Sequence, residues 1–497
     1  MSKKHFGEKS FTLFTINFII GLGFLTTIAN VWNVGFYGYL IILISVLTIF
    51  GTSLVFSRLA NSFKEHYGGS YAFTRQLEDD IYKKENNIET IKPKKQKLLN
   101  HFNFFIGWNQ FIQSPILSSI SPLFLSTIIE LVISKENPNY STIVWIIRII
   151  SFIFFALLIA ISTFGLKLNT KIVFFTGIIK WIFLGIGLII LIYLAFVDNA
   201  LTSSSLEGYK ENINNTINIK ITPKLIFTNV ILFIFSFAGI EDMASMTKDV
   251  KFKNFRKVLF WSISIVLIIY LLFYTFIMGI KDLSSYSNFS SFYTSYTRGL
   301  GIFGVVLFIV GFISNDIGYK ISQTVSTARK LIPLSQDNHI SPFFAKQNKK
   351  GEYHNAIIFT GIFTFISMVI LWLLPILLTN DNSENPYFNA VIIVNSIALL
   401  IEDMLTYIVA FMLDRKKIIP KIPFWEKIIY TINVIWIFTI TTIIIFPFII
   451  NDSWKSENTF VFVIYFSFIL AGFLFKWTWS AYNRKITKNN NKKFKSL

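Results

Sequence analysis

Cysteine is absent from this 497-residue chain, which excludes disulfides, thiol nucleophiles and cysteine-ligated metals. Charge is scarce too: Asp, Glu, Lys and Arg make up 15% of the residues, where a soluble domain carries about 25%. Histidine occurs five times, at His5, His66, His101, His339 and His354, each in a loop, a tail or the end of an apolar run. Metal sites and imidazole acid–base chemistry inside apolar segments are therefore not expected, and no cofactor is expected. A Gly-rich phosphate loop ending in Lys-Ser/Thr is missing, which speaks against ATP-driven work by this chain. A cleavable signal peptide is not expected either, because Met1 to Lys9 is polar and basic and the first apolar run is too long.

What remains is apolar. Hydrophobic residues make up 53% of the chain and the mean hydropathy is +0.57. The runs predict an all-α integral membrane protein with about twelve spans, near 11–33, 35–58, 103–133, 142–164, 170–197, 225–247, 257–280, 299–328, 355–378, 387–413, 427–450 and 458–482. A polar insert, Arg58 to Asn100, divides spans two and three, and its part from Lys83 to Lys97 reads as a flexible loop. Asp198 to Lys224 is a Ser- and Asn-rich loop expected on the opposite side. With both termini placed in the cytoplasm, 36 of the 46 Lys and Arg fall in cytoplasmic segments, seven in outer ones, and Arg148, Lys180 and Lys320 within spans. That bias obeys the positive-inside rule, so the net charge of +19 reports topology in a cell membrane and not nucleic-acid binding. The tails are residues 1–10 and a basic 484–497, around a helical domain of 11–483.

Two of the twelve spans carry a break. Ile20-Gly21-Leu22-Gly23 lies at the centre of the first, and Phe237-Ala238-Gly239-Ile240-Glu241 inside the sixth. Glycine costs roughly 1 kcal/mol against Ala in a helix. Irregular backbone at membrane depth survives where it faces protein or a polar cavity. Paired breaks in two halves of a chain mark a transporter with its site at the midplane. The competing reading is that small residues let helices approach closely.

Four stretches then belong together: Ile19-Ile20-Gly21-Leu22-Gly23-Phe24; His66-Tyr67-Gly68-Gly69-Ser70-Tyr71; Phe235-Ser236-Phe237-Ala238-Gly239-Ile240-Glu241 with the basic loop Lys248 to Lys257; and Ser326-Thr327-Ala328-Arg329 followed by Asp337 to Asn355. In this order and spacing they resemble the amino acid–polyamine–organocation (APC) superfamily of permeases, over most of the chain. The resemblance implies a LeuT-like 5+5 inverted-repeat core with discontinuous helices 1 and 6, the repeats spanning about 11–197 and 225–413, plus two extra helices at 427–482. It assigns Gly21, Leu22 and Gly23 to a substrate carboxylate, and the carbonyls near Ile19, Ile20, Phe235 and Ala238 to its ammonium. Most aromatics read as lipid-facing bulk and interfacial belt, but Phe235 and Phe237 are expected to wall the substrate, and Gly239 completes the second break. The backbone reading agrees: N–H groups opening a half-helix suit an anion. Leu22 departs from the family's usual Ser or Thr, which removes a hydroxyl donor.

Charges within spans are functional candidates by default. Lys180, in span five, resembles the lysine that in some members stands in for a sodium ion and takes part in proton coupling, since a desolvated lysine sheds its proton more readily. The alternative is a side chain snorkelling to the headgroups. Glu241 follows the second break, where resembling carriers use an acid for gating or recognition; the alternative is that Glu241 and Asp242 face a vestibule and offset Lys248. Asp316 and Lys320, at i and i+4, suit an intrahelical ion pair. Arg148 reads as an interfacial anchor, and Glu402 and Asp403 have no assigned role.

The function expected is secondary transport of amino acids by alternating access, with proton-coupled symport or exchange and sodium as the other coupling ion. A polyamine or cationic amino acid antiporter is the alternative in class. A membrane-embedded enzyme or a nutrient sensor is the alternative outside it, although the His-rich or paired-Asp motifs of such enzymes are missing. The partners expected are a small amino acid, the coupling ion and the lipid bilayer.

Overall fold

The computed structural model describes residues 6–32, 34–85, 93–134, 136–164, 166–202, 204–281, 291–349, 351–379, 387–450 and 453–495. Strand β1 (Phe6–Gly7) leads into helices α1 (Glu8–Ile19), α2 (Leu22–Trp32), α3 (Tyr37–Ser62), α4 (Ser70–Glu85), α5 (Pro93–Ser118) and α6 (Ser121–Glu130). There follow α7 (Tyr140–Ser162), α8 (Leu166–Ile192), α9 (Asn199–Thr202), α10 (Glu207–Ile217), α11 (Pro223–Ile234), α12 (Ile240–Ser245) and strand β2 (Val250–Lys251). The chain closes with α13 (Phe255–Ile277), α14 (Ser291–Leu300), α15 (Ile302–Gln336), α16 (His354–Met368), α17 (Leu374–Thr379), α18 (Tyr387–Arg415), α19 (Phe424–Ile445) and α20 (Ser456–Lys495).

Eleven helical stretches among the described residues are long and apolar enough to cross a membrane. The remaining expected span, 11–33, is there in two pieces: α1 and α2 have 12 and 11 residues. At 1.5 Å per residue neither piece alone covers the ~30 Å hydrocarbon core. Span nine changes pitch instead of breaking, passing from α16 through a π turn at Val369–Leu373 into α17. Pro375 explains the turn, because proline has no N–H and collides with the carbonyl four residues back. Span three, α5, is nearly enclosed, whereas α7, α19 and α20 face outward. Their exposed Ile149, Ile153, Leu157, Phe438 and Leu470 are an apolar rim suited to lipid.

Two expectations for the connections change. The expected loop 198–224 contains α10, held by Asn212, which donates to the carbonyls of Met278 and Ile280 at 3.0 and 2.9 Å. The Phe36 N–H donates to Thr216 Oγ1 at 3.0 Å, so α10 also covers the start of span two. Its buried face is the small and polar set Gly208, Asn212 and Thr216 while Ile213 and Ile217 are exposed, so apolar patterning does not betray how it packs. In the insert before span three, α4 is helical as far as Glu85, and residues 86–92 lie outside the described residues.

The first extra helix is clamped by charge. Glu426 of α19 is fully buried; its Oε2 and Oε1 accept from Arg58 Nε and Nη2 of α3 at 2.7 Å each, and Arg256 Nη2 of α13 lies 3.0 Å from Oε1. Tyr430 adds a 3.1 Å hydrogen bond to Oε2. Glu426→Ala is expected to destabilise the protein by ~3–5 kcal/mol, because two guanidinium groups lose their shared partner. A thermal unfolding midpoint in detergent equal to that of the parent protein would contradict this.

Candidate functional site

Both predicted breaks are present, and they pack against each other. Helix α1 stops at Ile19; Ile20 has φ −73° and ψ 78°, and the Gly21 N–H turns back to the Ile19 carbonyl at 2.8 Å. Leu22 and Gly23 already belong to the first turn of α2, so the irregular residues are Ile20 and Gly21. In span six α11 gives way to a 3-10 turn at Phe235–Phe237, Ala238 is extended with ψ 144°, and Gly239 has φ +119° before α12 begins. A left-handed φ of that size is open to glycine and strained for other residues.

A Cβ on Gly23 would sit 3.2 Å from the Phe235 carbonyl oxygen and 3.2 Å from Ser236 Cα. Conversely, a Cβ on Gly239 would meet two Phe18 ring carbons at 2.6 Å. Each break therefore lodges a glycine against the opposite one, and the close-packing reading of these glycines has a geometric basis. Tyr270 of α13 braces the pair, stacking on Phe24 with ring centroids 4.6 Å apart and donating to the Ser236 carbonyl at 2.6 Å. Nothing in the sequence singled out Tyr270, one tyrosine among 20. Ile19, Ile20, Phe235 and Phe237 are buried around the crossing. Gly23→Val is expected to stop uptake without preventing membrane insertion, since a β-branched side chain has no room against the span-six backbone. Uptake at the parental rate would remove Gly23 from the site.

Lys180 of α8 points inward and does not snorkel. Its Nζ donates to the Asn17 carbonyl in the last turn of α1 at 2.6 Å, three residues before Ile20, and the side chain is buried. Beside it lies a small cavity lined by Asn17, Thr176, Lys180, Ser314, Asn315 and Ser322, with room for about one water. Asn17 Oδ1 and both amide atoms of Asn315 have no hydrogen-bond partner among the described residues. The lysine thus joins span five to the break of span one, and span eight closes the cavity. Asp316 and Lys320 on the same span lie within electrostatic reach of each other but make no contact ion pair: Lys320 Nζ donates to the Ser118 carbonyl at 3.2 Å, and both Asp316 oxygens lack a hydrogen-bond partner among the described residues. Arg148, expected as an interfacial anchor, is buried and pairs with Glu130 at 3.2 Å.

The Gly-Gly-Ser-Tyr stretch draws the other motifs together. Gly68 (φ +102°) donates to the Ser245 carbonyl at the end of α12 at 3.4 Å, and a Cβ there would lie 2.6 Å from Pro333 Cγ of α15. Ser70 Oγ donates to Glu402 Oε1 at 2.6 Å. Tyr71 donates to Asp337 Oδ2 at 2.6 Å, and Arg75 pairs with Asp337 at 2.8 Å. Burial holds the adjacent His339 imidazole down at about 3, so it stays neutral at physiological pH. Glycines with positive φ, the first serine of α4 and distant acids here act as one unit.

The sequence profile of a family described as amino acid permease matches residues 6–474 of this chain. The chain belongs to the amino acid permease family. It is a multi-pass membrane protein of the APC superfamily, whose members are transporters. The permease is 30% identical over 507 residues to a protein named Uncharacterized protein MG225 from Mycoplasma genitalium, with 98% of each chain covered. It is also 31% identical to Uncharacterized protein MG226 of the same organism over 517 residues, again with 98% of each chain covered. Its identity to the MG226 homolog of Mycoplasma pneumoniae is 31% over 502 residues, covering 95% of this chain and 94% of that one.

In the permease the acids beyond the second break are more connected than their sequence suggested. Glu241 Oε2 accepts from the Gly239 N–H at 3.1 Å, bracing the left-handed residue, while Oε1 has no hydrogen-bond partner among the described residues. Asp242 is paired with Lys330 of α15 at 2.6 Å, and not with Lys248, whose ammonium lies over the Tyr67 ring. Lys330 is buried in the last turns of α15 and also donates to the Gln110 carbonyl at 3.0 Å. Glu402 takes hydrogen bonds from Ser70 and from Gln113, the latter at 3.0 Å, and Asp403 Oδ2 takes one from Thr52 at 3.1 Å. Acidic residues inside an apolar span were the available signal for Glu402 and Asp403; their partners come from three other helices.

Proposed function

We propose that this permease moves amino acids across the cell membrane as a secondary transporter, by alternating access coupled to proton symport or to exchange. The facing breaks in spans one and six carry this reading. Two half-helices begin and end at one crossing, so backbone N–H groups and carbonyls are offered to one small zwitterion without a charged side chain. The N–H groups of Gly21, Leu22 and Gly23 take the carboxylate, and carbonyls of Ile19, Ile20, Phe235 and Ala238 take the ammonium. Phe237 walls the pocket, and Gly239 gives the second break its turn. The repeats, about residues 11–197 and 225–413, move against each other around that crossing. Lys180 is the coupling group, since it touches the span-one backbone where a change of state would be felt.

Purified permease in proteoliposomes, offered a panel of labelled amino acids with and without an inward pH gradient, tests this. Accumulation of at least one amino acid against its gradient is expected, and its absence for every member would reject the reading. The cationic-substrate version is favoured by one observation, Glu241 Oε1 beside the break, which has no hydrogen-bond partner among the described residues. In that version arginine, lysine or a polyamine competes for uptake and Glu241→Gln removes the competition. Sensing without transport would show as binding without accumulation.

Both termini are placed in the cytoplasm on the distribution of Lys and Arg. Because the chain is free of cysteine, single cysteines report sidedness directly. In intact cells Ser204→Cys is expected to react with an impermeant maleimide, and Lys84→Cys only after permeabilisation. The reverse pattern would invert the protein and exchange the half-helix roles.

A further inference from the structure

Four carboxylates are buried in one region, at Glu241 and Asp242 of α12 and at Glu402 and Asp403 of α18. Lys330 is committed to Asp242 at 2.6 Å. The hydrogen-bond donors given for the other three are neutral: the Gly239 N–H for Glu241, Ser70 and Gln113 for Glu402, and Thr52 for Asp403. Glu241 lies within electrostatic reach of Glu402 and of Asp403, and Lys330 within reach of Glu402. Glu241 Oε1 and Asp403 Oδ1 have no hydrogen-bond partner among the described residues.

A second observation does not depend on the acids. Gln110 of α5 is fully buried, and neither atom of its side-chain amide has a hydrogen-bond partner among the described residues. Its Nε2 would lie 2.7 Å from a Cβ at Gly69, a point 3.4 Å from the Glu241 carbonyl oxygen and 3.6 Å from Ser245 Cβ, so the amide and α12 border the same space in front of Gly69. Like charges in a water-poor region repel strongly and cannot all persist without a cation among them. Among the described residues no group of three acids or histidines is arranged to hold a metal ion. A proton needs no such cage.

We propose that Glu241, Glu402 and Asp403 form a proton-binding site of the permease, separate from Lys180, that holds one exchangeable proton between spans six and ten. A carboxylate takes the proton from hydronium and releases water, with no electron transfer. The groups facing the site are Thr52 of α3, Ser70 of α4, Gln110 and Gln113 of α5, Asp242 of α12, Lys330 of α15, Thr406 and Tyr407 of α18 and Tyr465 of α20. Tyr319 relates it to the other site, since it lines the Lys180 cavity and lies within electrostatic reach of Asp242. A proton here changes the charge next to Gly239, so it acts on the break of span six as Lys180 acts on that of span one.

Infrared difference spectra of the full-length permease in lipid nanodiscs, recorded between alkaline and acid buffer, test the site without requiring transport. A protonated-carboxyl C=O band that shifts in heavy water is expected. One component of it should vanish in Asp403→Asn and in Glu402→Gln, and persist in Asp316→Asn. Two variants on adjacent residues keep the test open if one of them does not fold. Identical spectra for parent and both variants would overturn the site, as would loss of the band on adding sodium at constant pH, which would mean an alkali cation. If the component vanishes as expected while proteoliposomes accumulate nothing, the transport reading fails and the proton site stands.

Discussion

Gly239→Val is expected to abolish uptake while leaving the chain inserted in the membrane. At φ +119° any side chain is strained, on the order of 1–2 kcal/mol for an L-residue forced left-handed. The contact is worse than the strain: a Cβ at this position would stand 2.6 Å from Phe18 Cδ1 and Cε1. Phe18 has little space to yield, since it packs on Tyr319 with ring centroids 5.5 Å apart. The residue before it, Asn17, is the one that Lys180 holds by its carbonyl. A displaced Phe18 therefore disturbs the span-one break and the coupling lysine together. Transport assays on variant matched to parent by surface expression provide the measurement. Adding Phe18→Ala should recover part of the loss by opening space for the new side chain. Full uptake by Gly239→Val alone would show that the crossing of the two breaks is not where substrate passes.

Lys180→Ala is expected to lose the acceleration of uptake by an inward pH gradient. The ammonium bridges α8 to the backbone of α1, and its loss leaves the Asn17 carbonyl without that donor and span five without its tie to the break. Substrate binding should survive in large part, because the contacts proposed for the zwitterion come from the backbone of spans one and six. Lys180→Arg should fail as well, since a guanidinium keeps its proton at any physiological pH and cannot cycle. Uptake by the parent protein with and without the gradient, beside both variants, decides the matter. If Lys180→Ala keeps its full response, the lysine is a structural tie between two spans. If uptake follows a sodium gradient and ignores pH, the coupling ion is sodium.

The all-α fold, the count of spans and the positions of both breaks were legible in the sequence because each depends on local properties. A run of about 20 apolar residues must cross as a helix, and a glycine pair weakens that helix wherever it lies. The Gly-Gly-Ser-Tyr stretch and the acids after the second break also stood out, as residues unsuited to their surroundings. Which groups meet was decided by tertiary structure alone. Asp316 and Lys320 have the spacing of an ion pair, yet Lys320 takes a carbonyl on α5 instead, because i, i+4 spacing permits a contact without excluding a competitor. Asp242 pairs with Lys330 and not with Lys248, which is nearer in sequence, and Asp403 met Thr52 of span two. Helix α10 escaped notice since what holds it is Asn212 on two distant carbonyls, not an apolar stripe. Lys180 and Gly23 make the same point at the site. The sequence marks them as a charge and a gap within apolar spans, but only the packing of helix on helix sets one against the Asn17 carbonyl and the other against Phe235, because those neighbours are brought in from spans far away along the chain.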